Sequence, residues 1–234
     1  MLHRINRHPR SVRARRDRHR DPNRDPGRGD RLPREEATVT DSLLVMPSGG
    51  WTVKDLDALP ESHHRHELTD GALTVSPSPS SLHQAVAARL LVRLEAIAPE
   101  PLVVTQAVEI RFGRQLTRIP DVLVVRSDNP GRHWFAPSEV LVVIEIESPG
   151  SHLEDRATKP ALYARYAIPH YWRIELEPPL VSTYCIGHGD SYQMTGPDRC
   201  LSVTEPFDFN IAVADVLPPW AGRGGGPTVP EQGS

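Results

Sequence analysis

The stretch 139-EVLVVIEIE-147 decides the fold. It is nearly continuous in apolar character and dominated by β-branched residues. That is how a strand buried on both faces reads, rather than one with a wet side. The shorter run 121-DVLVVR-126 has the same character. Two such strands in one chain require a sheet with cover on both sides. The acids on the longer strand are then the anomaly. Glu145 lies near its end, where a buried carboxylate is costly unless it is paired or binds a metal. Glu145 and Glu147 point the same way, because strand side chains repeat every second residue. Two like charges so placed repel, which raises a pKa or calls for a cation. An edge strand with both glutamates in solvent is the competing reading. Val143 and Leu141, on the same face as Glu145, argue against it.

Asp121 opens its strand directly after Ile119-Pro120. Proline cannot donate a ladder hydrogen bond and fits a strand's first position. The aspartate is therefore expected at the rim of the sheet.

The flanking chain supplies the cover. Residues 52–59 read as a short helix with Thr52 as N-cap. Residues 64–76 alternate and turn at Asp70-Gly71, a strong hairpin signal. After a Ser/Pro loop, 81–97 carries apolar residues at helical spacing, and Pro99 and Pro101 stop it. Residues 102–112 read as one further β-type run. From Asp155 to 167 the pattern is helical, with Pro160 in the first turn. Strands are expected at 170–176, 181–186 and 191–195, the last two flanking the turn Gly187-His188-Gly189-Asp190. The expected class is α/β or α+β, a mixed sheet with helices packed on it.

The length of 234 residues suits one domain with tails. Residues 1–45 form an arginine-rich extension expected to be disordered. Residues 46–217 carry the folded domain, and 218–234 a Gly/Pro-rich tail. Met46 directly precedes the first helix, so a start at Met46 is a second expectation. Residues 1–40 hold 12 arginines against 6 acids, which leaves −9 of the total −3 for the remainder. An acidic body is not the footprint of a tight, general DNA binder. Nucleic-acid contact must use a local patch, the leader, or a metal that offsets the acids. The leader has no apolar core of the secretory type, and no run reaches the roughly 18 apolar residues of a membrane span. Cys185 and Cys200 are too few for a disulfide framework or zinc site and are expected as buried small hydrophobes. A cytoplasmic protein with no membrane contact is the expectation.

Only two lysines stand against 25 arginines. Lysine is a compact donor of tunable pKa, which arginine is not. Lys159 therefore stands out. Carboxylates from Asp121 and Glu145, with a backbone carbonyl, suit Mg²⁺ or Mn²⁺. Water on such an ion is more acidic, and Lys159 could orient it or stabilise phosphorane charge. Asp155, Lys159 and Tyr163 share a helix face if one helix spans them. A surface ion pair of Lys159 with Asp155 is the bland alternative. His83, at the start of the long helix, could contact a phosphate or carry a proton, or could simply bond to backbone. Glu67 could join the acids as an outer ligand or sit on an exposed strand. His63-His64-Arg65-His66 reads as a solvated turn.

Several strings together carry a resemblance. HELTDG at 66–71, SPS…LHQ at 76–84, IPD at 119–121, VIEIESPGS at 143–151, then Asp155, Lys159, Tyr163 and IPHYW at 168–172 resemble the Uma-type family of restriction endonucleases, within the PD-(D/E)XK nuclease superfamily. The likeness spans about residues 50–217. It implies a restriction-endonuclease-like core, a mixed sheet flanked by helices, a homodimer, and metal-dependent hydrolysis of DNA. It carries Asp121 over as the aspartate of the PD element and Glu145 as the second acid. Where the superfamily motif has lysine this chain has Glu147, so Lys159 from the next helix would supply the missing cation. Glu67 and His83 match positions expected to line the same cleft. Two other readings stand beside the nuclease: a catalytically inactive binding or regulatory module on the same fold, and a metal-free hydrolase using two carboxylates.

Overall fold

In the computed structural model, residues 46–60, 62, 64–148, 150–187 and 189–222 are described. The expected extension 1–45, the tail beyond Gly222, and His63, Pro149 and His188 lie outside the described residues. The chain enters through helix α1, Val53–Asp57. Asp55 fixes its first turn by accepting from both the N–H and the hydroxyl of Thr52, at 2.8 and 2.6 Å. The hairpin follows as β1, Arg65–Thr69, and β2, Ala72–Ser76. Its turn rests on Asp70 and Gly71, both at positive φ, the geometry that makes Asp-Gly a hairpin signal. Arg65 and His66 thus belong to a strand and not to a solvated turn.

Helix α2 is Ser81–Glu95, capped by the Ser80 hydroxyl, which accepts from the His83 N–H. The expected single run 102–112 is two strands, β3, Leu102–Gln106, and β4, Glu109–Gly113. Ala107 breaks it at φ 54°, its N–H held by the Asp121 carbonyl. A tertiary bond therefore overrides the local β pattern. Next come β5, Leu116–Arg118, β6, Val122–Arg126, β7, Trp134–Phe135, and β8, Val140–Ile146. A π-helical turn, Glu154–Thr158, leads into α3, Lys159–Arg165, with Pro160 in its first turn. The chain then forms β9, His170–Leu176, β10, Pro179–Ile186, β11, Tyr192–Asp198, β12, Cys200–Val203, and β13, Phe209–Ala212.

The main sheet has the order β11-β10-β9-β8-β6-β3. It is mixed: β6 runs antiparallel to β8, and β8 parallel to β9. A parallel pair needs a crossover, which the π turn and α3 provide. Val142, Ile144 and Ile146 face the cluster built on α2. Val143 faces the cluster that takes Tyr163 from α3. The central strand is thus buried on both faces, and Glu145 is 2% exposed and not on an edge. Among the described residues no helix is long and apolar enough to cross a membrane. Cys185 and Cys200 are free and exposed, contrary to the expectation of burial. Each lies on a strand away from the central pair, where one face meets solvent.

Candidate active site

Sheet register sets the site. Val122 pairs with Ile144 in an antiparallel ladder, so one step further Asp121 stands beside Glu145. The Asp121 carboxylate locks that arrangement: Oδ2 accepts the Ile146 N–H at 2.8 Å. The chain leaves β8 at this rim and returns as α3, so the first residue of α3 reaches the same place. Lys159 Nζ lies 3.0 Å from Glu145 Oε2 and 2.8 Å from Asp155 Oδ1. Tyr163, one turn further on, donates its hydroxyl to Glu145 Oε1 at 2.9 Å. The π turn widens the helix just before Lys159, and such insertions recur at functional sites.

Asp121, Glu145, Asp155 and Lys159 line a cleft of about 480 Å³ that also takes in Arg65, Glu67 and His83, with Tyr163 behind Glu145. Glu67 Oε1 accepts the Ile119 N–H at 2.6 Å and so fixes the segment leading to Asp121. His83 Nε2 is 3.0 Å from Asp121 Oδ2 and 3.0 Å from the Ile146 carbonyl. Arg65 Nη1 is 2.9 Å from Asp121 Oδ1. Asp121, Glu145, Lys159, Tyr163, Glu67 and His83 therefore meet in one place.

Glu147 does not join them. It is held by His152, by Arg156 Nη2 at 2.8 Å, and by Arg173 Nε at 3.0 Å. It lines an adjoining hollow with His152 and Arg156.

Electrostatics separates the acids. Burial pushes the Asp121 carboxyl up, but His83, Arg65 and the Ile146 N–H outweigh it, and its pKa falls below the ordinary value. Burial also dominates at Glu145; Lys159 pulls against it, Asp121 and Asp155 add to it, and the carboxyl is pushed up to about 8. Burial alone would lower the Lys159 pKa, yet Glu145 and Asp155 raise it, so the ammonium keeps its proton.

Residues 53–214 match the model of the family Uma2, described as "Putative restriction endonuclease". The chain belongs to the Uma2 family. The fold agrees with a solved structure described as a putative nuclease of DUF820 from Anabaena variabilis. The two share 17% identity and a TM-score of 0.57, over 70% of this chain and 96% of that one. No curated protein matches this Uma2 chain.

The cleft fits a hard divalent ion on two grounds. Its donors are mainly oxygen, the carboxylates of Asp121 and Glu145 and the Ile146 carbonyl, with His83 Nε2 beside them. Lys159 is also one ammonium shared by two buried carboxyl groups, Glu145 and Asp155, and a divalent ion beside Glu145 would favour its ionised form. Among the described residues no three His, Cys, Asp or Glu side chains already converge as a metal cluster. An ion on two carboxylates would take its remaining ligands from carbonyl, water and phosphate, as Mg²⁺ commonly does.

Arg65 was not singled out from the sequence of this Uma2 chain. The signal was present: on a strand, Arg65 shares a face with Glu67, so placing Glu67 in the cleft places Arg65 there too. The groups around Glu147 carried no such signal, because Arg156 and Arg173 come from separate elements, the π turn and β9.

Proposed function

We propose that this Uma2 chain is a metal-dependent endonuclease that hydrolyses DNA phosphodiester bonds in the Asp121–Glu145–Lys159 cleft, on a PD-(D/E)XK pattern. The observation that carries the reading is the 3.0 Å contact from Lys159 Nζ to Glu145 Oε2, beside Asp121. A lysine delivered by α3 takes the place of the one the superfamily motif would put at Glu147. Asp121 and Glu145 would hold Mg²⁺ or Mn²⁺. Such an ion, when bound, supplies a more acidic water and offsets phosphate charge. Tyr163 and Lys159 each take one oxygen of Glu145 and fix its orientation. Asp155 holds the ammonium at the cleft, where Lys159 can donate to the attacking water or to a phosphate oxygen as charge develops. Action in the cytoplasm, as a homodimer, completes the reading.

Nicking of supercoiled plasmid with Mg²⁺ or Mn²⁺ tests it. Asp121→Ala and Glu145→Ala should each lower the rate by on the order of 10²–10³-fold, the scale for losing one preorganised electrostatic group. Undiminished nicking by both variants would end the claim.

A second reading, an inactive binding module, is favoured by one observation. Both oxygens of Asp121 are already taken by internal partners. DNA or protein binding with no metal uptake in calorimetry would select it. A metal-free hydrolase would need activity that survives excess EDTA.

A further inference from the structure

We propose that Arg65 is a displaceable counter-cation of the metal site: it holds Asp121 until a divalent ion arrives, then turns to the phosphate. The inference rests on the metal-dependent reading above. Asp121 is 3% exposed, and each of its oxygens is engaged. Oδ2 takes the Ile146 N–H at 2.8 Å and lies 3.0 Å from His83 Nε2; Oδ1 takes Arg65 at 2.9 Å. A cation arriving at Oδ1 competes directly with Arg65.

The three partners differ in freedom. The Ile146 N–H belongs to the backbone at the end of a central strand and stays. His83 is buried, anchored in the first turn of α2, and bonded to the Ile146 carbonyl as well. Arg65 sits on a two-stranded hairpin with its side chain 26% exposed. Its hydrogen bond to the Ile119 carbonyl is long, at 3.5 Å. It also borders a second hollow of about 200 Å³, lined with Ser78, Gln84 and Gln106, which leaves space beside the guanidinium. It also lines the cleft itself, and a guanidinium matches phosphate oxygens in a fork. Arg65 thus occupies the site without metal and clamps substrate with it.

Two opposite effects follow from removing one charge. Without Arg65 the ion no longer competes for Asp121, so metal binds more tightly, while DNA loses a phosphate contact. A merely structural arginine would weaken both.

Calorimetric titration of the full chain with Mn²⁺, without DNA, reads the first effect. Arg65→Gln keeps the size and removes the charge; Arg65→Lys keeps a charge and guards against misfolding of the first variant. The Mn²⁺ dissociation constant of Arg65→Gln should fall by up to about fivefold, as expected for losing a partly exposed ion pair. That of Arg65→Lys should stay near wild type, and Asp121→Asn should abolish binding. Plasmid nicking by Arg65→Gln should fall even at saturating Mn²⁺. If Asp121→Asn abolishes binding but Arg65→Gln binds no more tightly than wild type, the inference fails and the nuclease reading stands. If neither wild type nor Arg65→Gln binds Mn²⁺, both fail together.

Discussion

Tyr163 shows how much of the site is built from the core. Its ring is fully buried, packed against Phe112 and Tyr171 at centroid distances of 6.0 and 5.6 Å. Only its hydroxyl is polar, and that hydroxyl donates to Glu145. Tyr163→Phe keeps the aromatic packing and removes one donor. Glu145 Oε1 is then left without it in a dry place, and an orphaned buried acceptor costs about 1–3 kcal/mol. The variant should lose that much stability in urea denaturation at neutral pH, with the slope unchanged. Wild-type stability in Tyr163→Phe would mean that the hydroxyl bond contributes nothing to the fold. The prediction belongs to the residue scale because one atom changes and its partner is named.

At the scale of elements, Glu147 ties the end of β8 to the π turn. It binds Arg156 from the turn, His152 just before it, and Arg173 from β9. By fixing the turn it also fixes Asp155 and Lys159, a structural role that a lysine at this position could not fill among Arg156 and Arg173. Burial pushes its carboxyl up, but Arg156, His152 and Arg173 outweigh that and hold it below the ordinary value. A carboxyl lowered on folding stabilises fully above its unfolded pKa, and the gain is lost as pH falls through the folded one. Glu147→Gln should therefore be less stable than wild type at neutral pH. Its stability should also decline less steeply below about pH 5, where carboxylates titrate. Parallel stability-versus-pH curves would remove the proposed role. None of this was legible in the sequence, where Glu147 read only as a second acid on the Glu145 face. Strand 170–176 and the start of α2 were legible, because their signals are local: β-branched and aromatic pattern in one, a serine cap in the other. The break at Ala107 was not, since its left-handed backbone depends on a bond to the Asp121 carbonyl. Asp121, Glu145 and Lys159 could be read because each is a local anomaly, a charge in an apolar strand or a rare residue type. Arg65 is one arginine among 25 and gave no such contrast.

For the whole molecule the governing quantity is charge. The segment beyond residue 40 carries −9, while residues 1–40 carry +6 from 12 arginines and 6 acids. An acidic part repels DNA, and under the proposed function a cation in the cleft would offset that locally. We therefore expect residues 1–45 to supply most of the sequence-independent attraction. Binding driven by neutralised phosphates weakens with salt, with a slope in log–log form of about −0.9 per phosphate contacted. Removing residues 1–45 should lower the affinity for a duplex of random sequence and flatten that slope. The thermal midpoint should stay unchanged, because the paired strands, both clusters of buried residues and the cleft all lie beyond residue 45. Fluorescence anisotropy at several salt concentrations, with EDTA to exclude the metal's contribution, measures both affinity and slope. Adding Mg²⁺ should then restore part of the affinity in the shortened chain, and Asp121→Asn should abolish that gain. Equal affinity and slope with and without residues 1–45 would place the DNA contact on the acidic part itself. Its charge would then have to be unevenly spread, with the attraction coming from a patch distinct from the leader.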